Sequence, residues 1–245
     1  MKKENWSAFR TAVSRYRDVT DAINVPNILV QRLVESREGP SYTVKTPVVY
    51  NQAVDDVTPG SEIKMIMVGD NPGRREQENC RYLVGPSGKI AERFFHNNPE
   101  LGIDFRKNVL ILNKTPIHTP RTTELKELCA LGGEKLKDAV LFSQRIMAEL
   151  LEEFWTALSG GKPGRCVIWI IGYSEMKKGG IFECYTETLK TLCAANPVFG
   201  GHIFFFRHFS MNQFAIDLKQ KALPGENIPE SLARIGTAYR ERVLG

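Results

Sequence analysis

The stretch Ile63-Lys64-Met65-Ile66-Met67-Val68-Gly69-Asp70-Asn71-Pro72-Gly73 is an apolar run that stops abruptly at two polar side chains and a Pro-Gly turn. Its apolar residues are nearly continuous rather than alternating, which indicates a strand buried on both faces of a parallel sheet. Three later runs share the character: NVLILN (108–113), CVIWIIG (166–172) and HIFFFRH (202–208). Segments with helical spacing of apolar residues lie between them, at 87–97, 123–130, 134–158 and 183–195, and two more follow at 211–222 and 228–243. This alternation predicts an α/β three-layer sandwich, with a central, mainly parallel four-stranded sheet flanked by helices.

Upstream, 5–23 and 27–36 carry helical spacing, and 41–58 reads as extended chain closed by Pro59-Gly60. The expectation is that residues 1–60 form a helical and extended segment packed on the core. Residues 61–245 would form the α/β domain, the whole being one globular unit. The chain is 42% hydrophobic and 25% charged, as in ordinary globular proteins. Its longest apolar runs are too short to span a bilayer, and MKKENWSAFR lacks the apolar core of a secretion signal. No membrane partner and a cytoplasmic location are therefore expected, nucleoid-associated or nuclear according to the cell. The five cysteines form no CxxC pair, which argues against a disulfide framework or a zinc ribbon. Of the net charge of +5, residues 72–126 hold most, with ten Lys/Arg against six Asp/Glu. A basic excess there has meaning only if the same segment carries a site.

In parallel α/β sheets, ligands gather outside the carboxyl ends of the strands. The four exits read GDNPG, NKTPIHTPR, GYSEMKKGG and RHFSMNQF. GPSGK (85–89) is not a phosphate loop, since Leu83 stands where its first Gly belongs and Ile90 replaces the metal-binding hydroxyl. GYSEM (172–176) lacks the second Gly of a nucleophile elbow. Taken singly, Asp70-Asn71 and Asn113 read as turn residues, and Ser210 as the N-cap of a helix beginning near Met211. Taken together, Asp70, Asn71, Asn113, His208 and Ser210 would share one rim of one sheet.

This set resembles the uracil-DNA glycosylase superfamily. Gly69 to Gly73 matches its first motif, Gly-x-(Asn/Asp/Ala)-Pro-(Gly/Tyr), and His208-Phe209-Ser210 is similar to its second, His-Pro-Ser. NCRYLVGPSGKIAERFF (79–95) and LILNKTPIHTPRTTEL (110–125) resemble, in order and spacing, segments of the iron–sulfur branches. The Asn and His of the two motifs are similar instead to the single-strand-selective branch. The likeness spans roughly residues 62–222.

The resemblance implies a hydrolase that acts on a base flipped out of DNA. Asn71 would position the attacking water, with Asp70 as an alternative that takes the proton or stabilises the sugar cation. His208 would donate to the departing base, helped by backbone N–H groups of the 69–73 turn. Asn113 would read the base beside Gly69. Leu83, with Tyr82 beside it, stands where the family stacks the base on a Phe. Met211, with Asn212, would supply the wedge of the FSMNQF loop, and Ser210 a phosphate contact or a helix cap. Arg74, Arg75, Lys114, His118 and Arg121 would meet backbone phosphates. Residues 1–79 contain no cysteine, so no iron–sulfur cluster, metal or cofactor is expected, and the enzyme would be monofunctional, monomeric and bound to single-stranded or damaged duplex DNA. Two rivals are a glycosylase-fold nucleic-acid-binding protein without turnover, and a nucleoside hydrolase.

Overall fold

The computed structural model describes residues 1–161 and 164–245. Its elements run α1 (Lys3–Ala22), α2 (Asn27–Glu38), β1 (Met65–Gly69), α3 (Arg74–Asn79), α4 (Pro86–Asn97), α5 (Phe105–Asn108), β2 (Val109–Asn113), α6 (Glu124–Ser159), β3 (Val167–Ile171), α7 (Glu183–Ala195), α8 (Pro197–Gly201), β4 (Ile203–Phe206), α9 (Gln213–Lys221) and α10 (Ile228–Leu244). The four strands form one all-parallel sheet in the order β2-β1-β3-β4. Helices flank it, so the fold is the α/β sandwich the apolar runs predict.

Each strand is buried along almost its whole length because both faces are covered. On one face Trp169 meets Phe206, Phe95 of α4 and Phe214 of α9 at centroid separations of 4.6, 5.4 and 5.8 Å. These offset and tilted rings are the favourable aromatic arrangements. On the other side α6 contacts β2, and α1, α2 and α7 contact α6. The sequence separates 123–130 from 134–158, and the physical cause of that gap is Gly133. It breaks α6 with φ 66° and ψ −163°, a conformation that glycine adopts at little cost.

Residues 1–60 share this core. Phe9 and Tyr16 of α1 pack on Phe154 of α6, and the Asn51 side chain donates to the Ile111 carbonyl of β2 at 2.8 Å. The 41–58 segment is irregular rather than a strand. It holds one antiparallel bridge, Val48 to Ile117, and a 3₁₀ turn at Gln52–Val54. Among the described residues no helix is long and apolar enough to cross a membrane.

Candidate functional site

The order β2-β1-β3-β4 places the topological switch between β1 and β3. The chain leaves β1 toward one side to form β2, then crosses back to begin β3. A ligand crevice is expected at such a point, outside the carboxyl ends. A cleft of about 690 Å³ opens there. Gly69, Asp70, Asn71, Leu83, Asn113, His208 and Ser210 all line it, with Arg74, Arg75, Arg121 and Arg207 among its other residues. Three segments distant in sequence thus bring the predicted polar groups to one cavity.

Asn113 ends β2 and pairs in register with Gly69 of β1. A Cβ added to Gly69 would stand 2.5 Å from Asn113 Oδ1, so glycine is required there for the amide to lie over the strand end. Asn113 Nδ2 is buried and has no hydrogen-bond partner among the described residues. Buried donors in native proteins are almost always satisfied. This one is aimed at nothing the chain supplies.

Asn71 is oriented by the second exit. Its Nδ2 donates to Thr119 Oγ1 at 2.9 Å and to the Thr119 carbonyl at 3.2 Å. The Thr119 hydroxyl spends its own proton on the Arg121 carbonyl at 2.9 Å, so it can only accept from Asn71. The NH₂ end is thereby fixed on the loop, and Oδ1 has no donor among the described residues.

His208 lies two residues beyond β4, and its tautomer follows from Ser210. The Ser210 backbone N–H donates to Nδ1 at 3.0 Å, and Ser210 Oγ lies 2.8 Å from the same atom. Nδ1 is therefore an acceptor, and in the neutral ring the proton sits on Nε2. Protonating Nδ1 would set two N–H groups against each other. Burial lowers the imidazole pKa from its ordinary value; Asp70 opposes this and Lys114 reinforces it. Ser210 is accordingly the partner of His208 rather than a helix cap: α9 begins after Asn212, and no side chain caps it.

Lys114 does not face DNA. Its side chain is 0% exposed, and Nζ donates to Asp70 Oδ1 at 2.6 Å, to the Ile171 carbonyl at 2.8 Å and to the Gly69 carbonyl at 3.4 Å. Three donors meet three acceptors beneath the cleft, across the ends of β1 and β3. Burial pushes the ammonium pKa down, and Asp70 holds it up. Asp70 Oδ2 accepts from the Thr122 hydroxyl at 3.3 Å. Gly172 (φ 78°) backs the same carboxylate, where an added Cβ would come within 2.7 Å of Oδ1.

His118 is likewise buried, not at the rim. Its Nδ1 donates to the Pro72 carbonyl at 2.7 Å, and its Nε2 accepts from the Tyr42 hydroxyl at 3.0 Å. Burial pushes its pKa down to about 4. Tyr82 also points away from the cleft. Its ring is buried, and its hydroxyl donates to the Val49 carbonyl at 2.6 Å and receives that of Tyr16 at 3.0 Å.

Leu83 does reach the cleft, with a left-handed backbone (φ 49°). A non-glycine residue in that region is strained unless its surroundings hold it. They do: its N–H donates to Glu76 Oε1 at 2.7 Å and its carbonyl accepts from Arg106 Nη1 at 3.1 Å. Against the same carbonyl, a Cβ on Gly88 would stand at 1.6 Å. Glu76 was not a sequence candidate, yet its other oxygen takes the Gly73 N–H at 2.7 Å. That bond removes Gly73 from the backbone donors expected to face a base. Burial raises the Glu76 pKa, and the two N–H groups restrain it. The Gly73-to-Glu76 spacing of a capping carboxylate was the available signal.

At the wedge loop, Phe209 and Phe214 are buried and stack at 4.3 Å. Met211 is the exposed large apolar side chain of the loop, at 82%, on a 3₁₀ turn where Met211 and Asn212 have φ of 52° and 58°. Asn212 lies outside the switch-point cleft, on a smaller one of about 370 Å³ beside α4. The chain matches no protein-family model and gives no significant match to curated proteins.

Proposed function

We propose that this chain is a monofunctional DNA glycosylase that hydrolyses the N-glycosidic bond of uracil, or of a related damaged base, extruded from single-stranded or damaged duplex DNA. The observation that carries this reading is the buried, unpartnered Asn113 Nδ2 at the switch-point cleft. A side-chain amide so placed suits a cyclic imide edge: Nδ2 donates to a ring carbonyl while Oδ1 accepts the neighbouring ring N–H. Cytosine would present an amine to that donor and leave it buried and unpaired. A site built on such groups discriminates strongly.

The remaining groups fit the chemistry of the bond. As C1′–N cleavage proceeds, the sugar gains cationic character and the base leaves as an anion. His208, neutral and with its proton on Nε2, supplies a preorganised donor to the base carbonyl. Removing one such donor costs about 2.7–4 kcal/mol of transition-state stabilisation. Asn71 Oδ1 accepts from a water and holds it for the sugar carbon, a task of positioning that needs no strong base. Asp70 is committed to Lys114 and Thr122, so it contributes its field rather than proton transfer. Among the described residues no lysine lines the cleft, and every donor of nearby Lys114 is engaged, so the reading is of a monofunctional enzyme without a Schiff base. Four arginines at the cleft give a rim suited to phosphodiesters, and exposed Met211 is the apolar wedge.

A second reading, a nucleic-acid-binding protein that lacks turnover, is favoured by Leu83, an aliphatic side chain where the resembling family stacks the base on an aromatic ring. A nucleoside hydrolase would need neither the arginine rim nor an exposed Met211. Alkali-labile cleavage of uracil-containing oligonucleotides, single-stranded and mismatched, separates them. Release of uracil by the wild type, lost by about 10²–10³-fold in His208→Ala and also lost in Asn71→Ala, supports the proposal. Tight binding with no base released supports the second reading, and turnover of free nucleosides supports the third.

A further inference from the structure

A second cleft, of about 840 Å³, lies beyond the β3 exit. It shares Tyr173, Ser174 and Arg207 with the first, so the two meet along one wall. Arg207 is held on that wall, its guanidinium 5.8 Å from the Tyr173 ring centre, which in turn lies 4.6 Å from that of Tyr239. Lys177, Lys178, Lys190 and Arg242 supply its other cations, from the β3 exit, α7 and the last turn of α10.

Two carboxylate side chains also line it, with Gly245 beside them. Glu183 accepts the Gly179 N–H at 2.9 Å, and Glu187 pairs with Lys190 at 3.7 Å. Lys177, Lys178, Arg207 and Arg242 have no carboxylate partner among the described residues. Five cations against two side-chain carboxylates leave the cleft an excess of positive charge that favours an anion. The cations come from four segments, the β3 exit (Lys177 and Lys178), α7, the β4 exit and α10, a spread that suits a repeating anion rather than one discrete phosphate.

We infer that this second cleft holds the phosphodiester flank of the strand whose target base enters the first cleft, with Arg207 at the junction between them. The inference rests on the glycosylase reading for the identity of that strand. A continuous strand would run from the arginine rim past Tyr173 into the cleft formed by Lys177, Lys178, Lys190 and Arg242. Its cations would meet phosphates, and binding carried by phosphate contacts is independent of sequence.

The test uses the exposed residues Lys177, Lys178 and Arg242, replaced together as Lys177→Gln, Lys178→Gln and Arg242→Gln in the full chain. Fluorescence anisotropy follows binding of a mixed-sequence single-stranded oligodeoxynucleotide carrying no deaminated base, across a range of NaCl concentrations. For single strands each lost phosphate contact flattens the slope of log K against log salt by about 0.7, so three contacts flatten it by about 2. With an unchanged melting temperature, a slope and affinity equal to wild type would overturn the inference. So would equal competition by poly-glutamate of matched charge, which would assign the cleft to an acidic peptide. Uracil release is measured separately: KM for long substrates rises in the variant while kcat holds. A flattened slope without any uracil release by the wild type leaves the cleft standing and removes the glycosylase reading. Uracil release with an unaltered slope does the reverse.

Discussion

Replacing Lys114 by Met isolates the buried ion pair beneath the cleft. The substitution keeps most of the side-chain volume but removes the ammonium, taking its hydrogen bonds from Asp70 Oδ1 and the Ile171 carbonyl, while the Gly69 carbonyl keeps the backbone N–H of residue 114 at 3.0 Å. Removing one partner of a buried pair typically costs about 3–5 kcal/mol, because the remaining charge stays desolvated. Asp70 is 18% exposed and keeps the Thr122 hydroxyl, so the lower end applies, about 3 kcal/mol. For a chain of this size that lowers the melting temperature by roughly 6–12 °C. Urea unfolding followed by circular dichroism measures the loss for Lys114→Met, Asp70→Asn and the double variant. The double variant leaves no uncompensated charge and should recover a large part of the single loss, giving a coupling energy above about 1 kcal/mol. Single and double losses that simply add, or a Lys114→Met cost below about 1 kcal/mol, would refute the view that this pair is desolvated and mutually dependent.

Acid sensitivity should trace to His118. Its pKa is pushed down to about 4, so below the unfolded value of about 6.5 the unfolded chain binds a proton that the folded chain refuses, and stability falls as pH drops toward 4 by up to roughly 3 kcal/mol. Urea midpoints at neutral and acidic pH should lie closer together in His118→Gln; an unaltered spacing would count against the assignment. Gly69→Ala should push the Asn113 amide from the strand end and reduce uracil release well before it affects folding, and full activity with a native melt would show that this amide is not the reader. Because His208 works as the neutral ring and burial lowers its pKa, kcat/KM should persist below the ordinary histidine pKa, and an acidic limb centred above about 6.5 would contradict the Nε2-protonated donor.

The sheet was legible because strands buried on both faces cannot hide their composition: all four continuous apolar runs became strands of one parallel sheet. Helix termini followed to within a residue or two where apolar spacing was regular, and the gap around Gly133 proved to be a true break. Asn71, Asn113 and His208 were legible for a topological reason, since residues just past parallel strands reach the same rim. What failed was the direction of long side chains. A lysine after a strand-end Asn reads as a surface cation, yet Lys114 bends under the rim because three acceptors wait there. Order along the chain puts Leu83 at the stacking position and it does line the cleft, but whether neighbouring Tyr82 could turn in was not legible, because the left-handed turn at Leu83 decides which of the two faces the cleft. Such a turn in a non-glycine residue has no reliable sequence mark. His118 was misplaced for a similar reason: Tyr42, its partner, comes from the irregular segment before the sheet.

Lys114 also bears on why neutral groups, Asn71, Asn113 and His208, can stand over a charged floor. At a switch point, the final carbonyls of adjacent strands concentrate negative ends on one spot. The Gly69 and Ile171 carbonyls are such a pair; the first takes the Lys114 backbone N–H at 3.0 Å, and the Lys114 ammonium bridges both. Asp70 then balances that charge at 2.6 Å, so the floor is polar but close to neutral overall. Above it stand two amides and an imidazole whose protonation Ser210 and Lys114 oppose. In the proposed reaction an unbalanced cation there would raise the energy of a developing sugar cation, and an unbalanced carboxylate would oppose the departing base anion. The ion pair would avoid both and leave the catalytic stabilisation to the oriented dipoles of Asn71, Asn113 and His208.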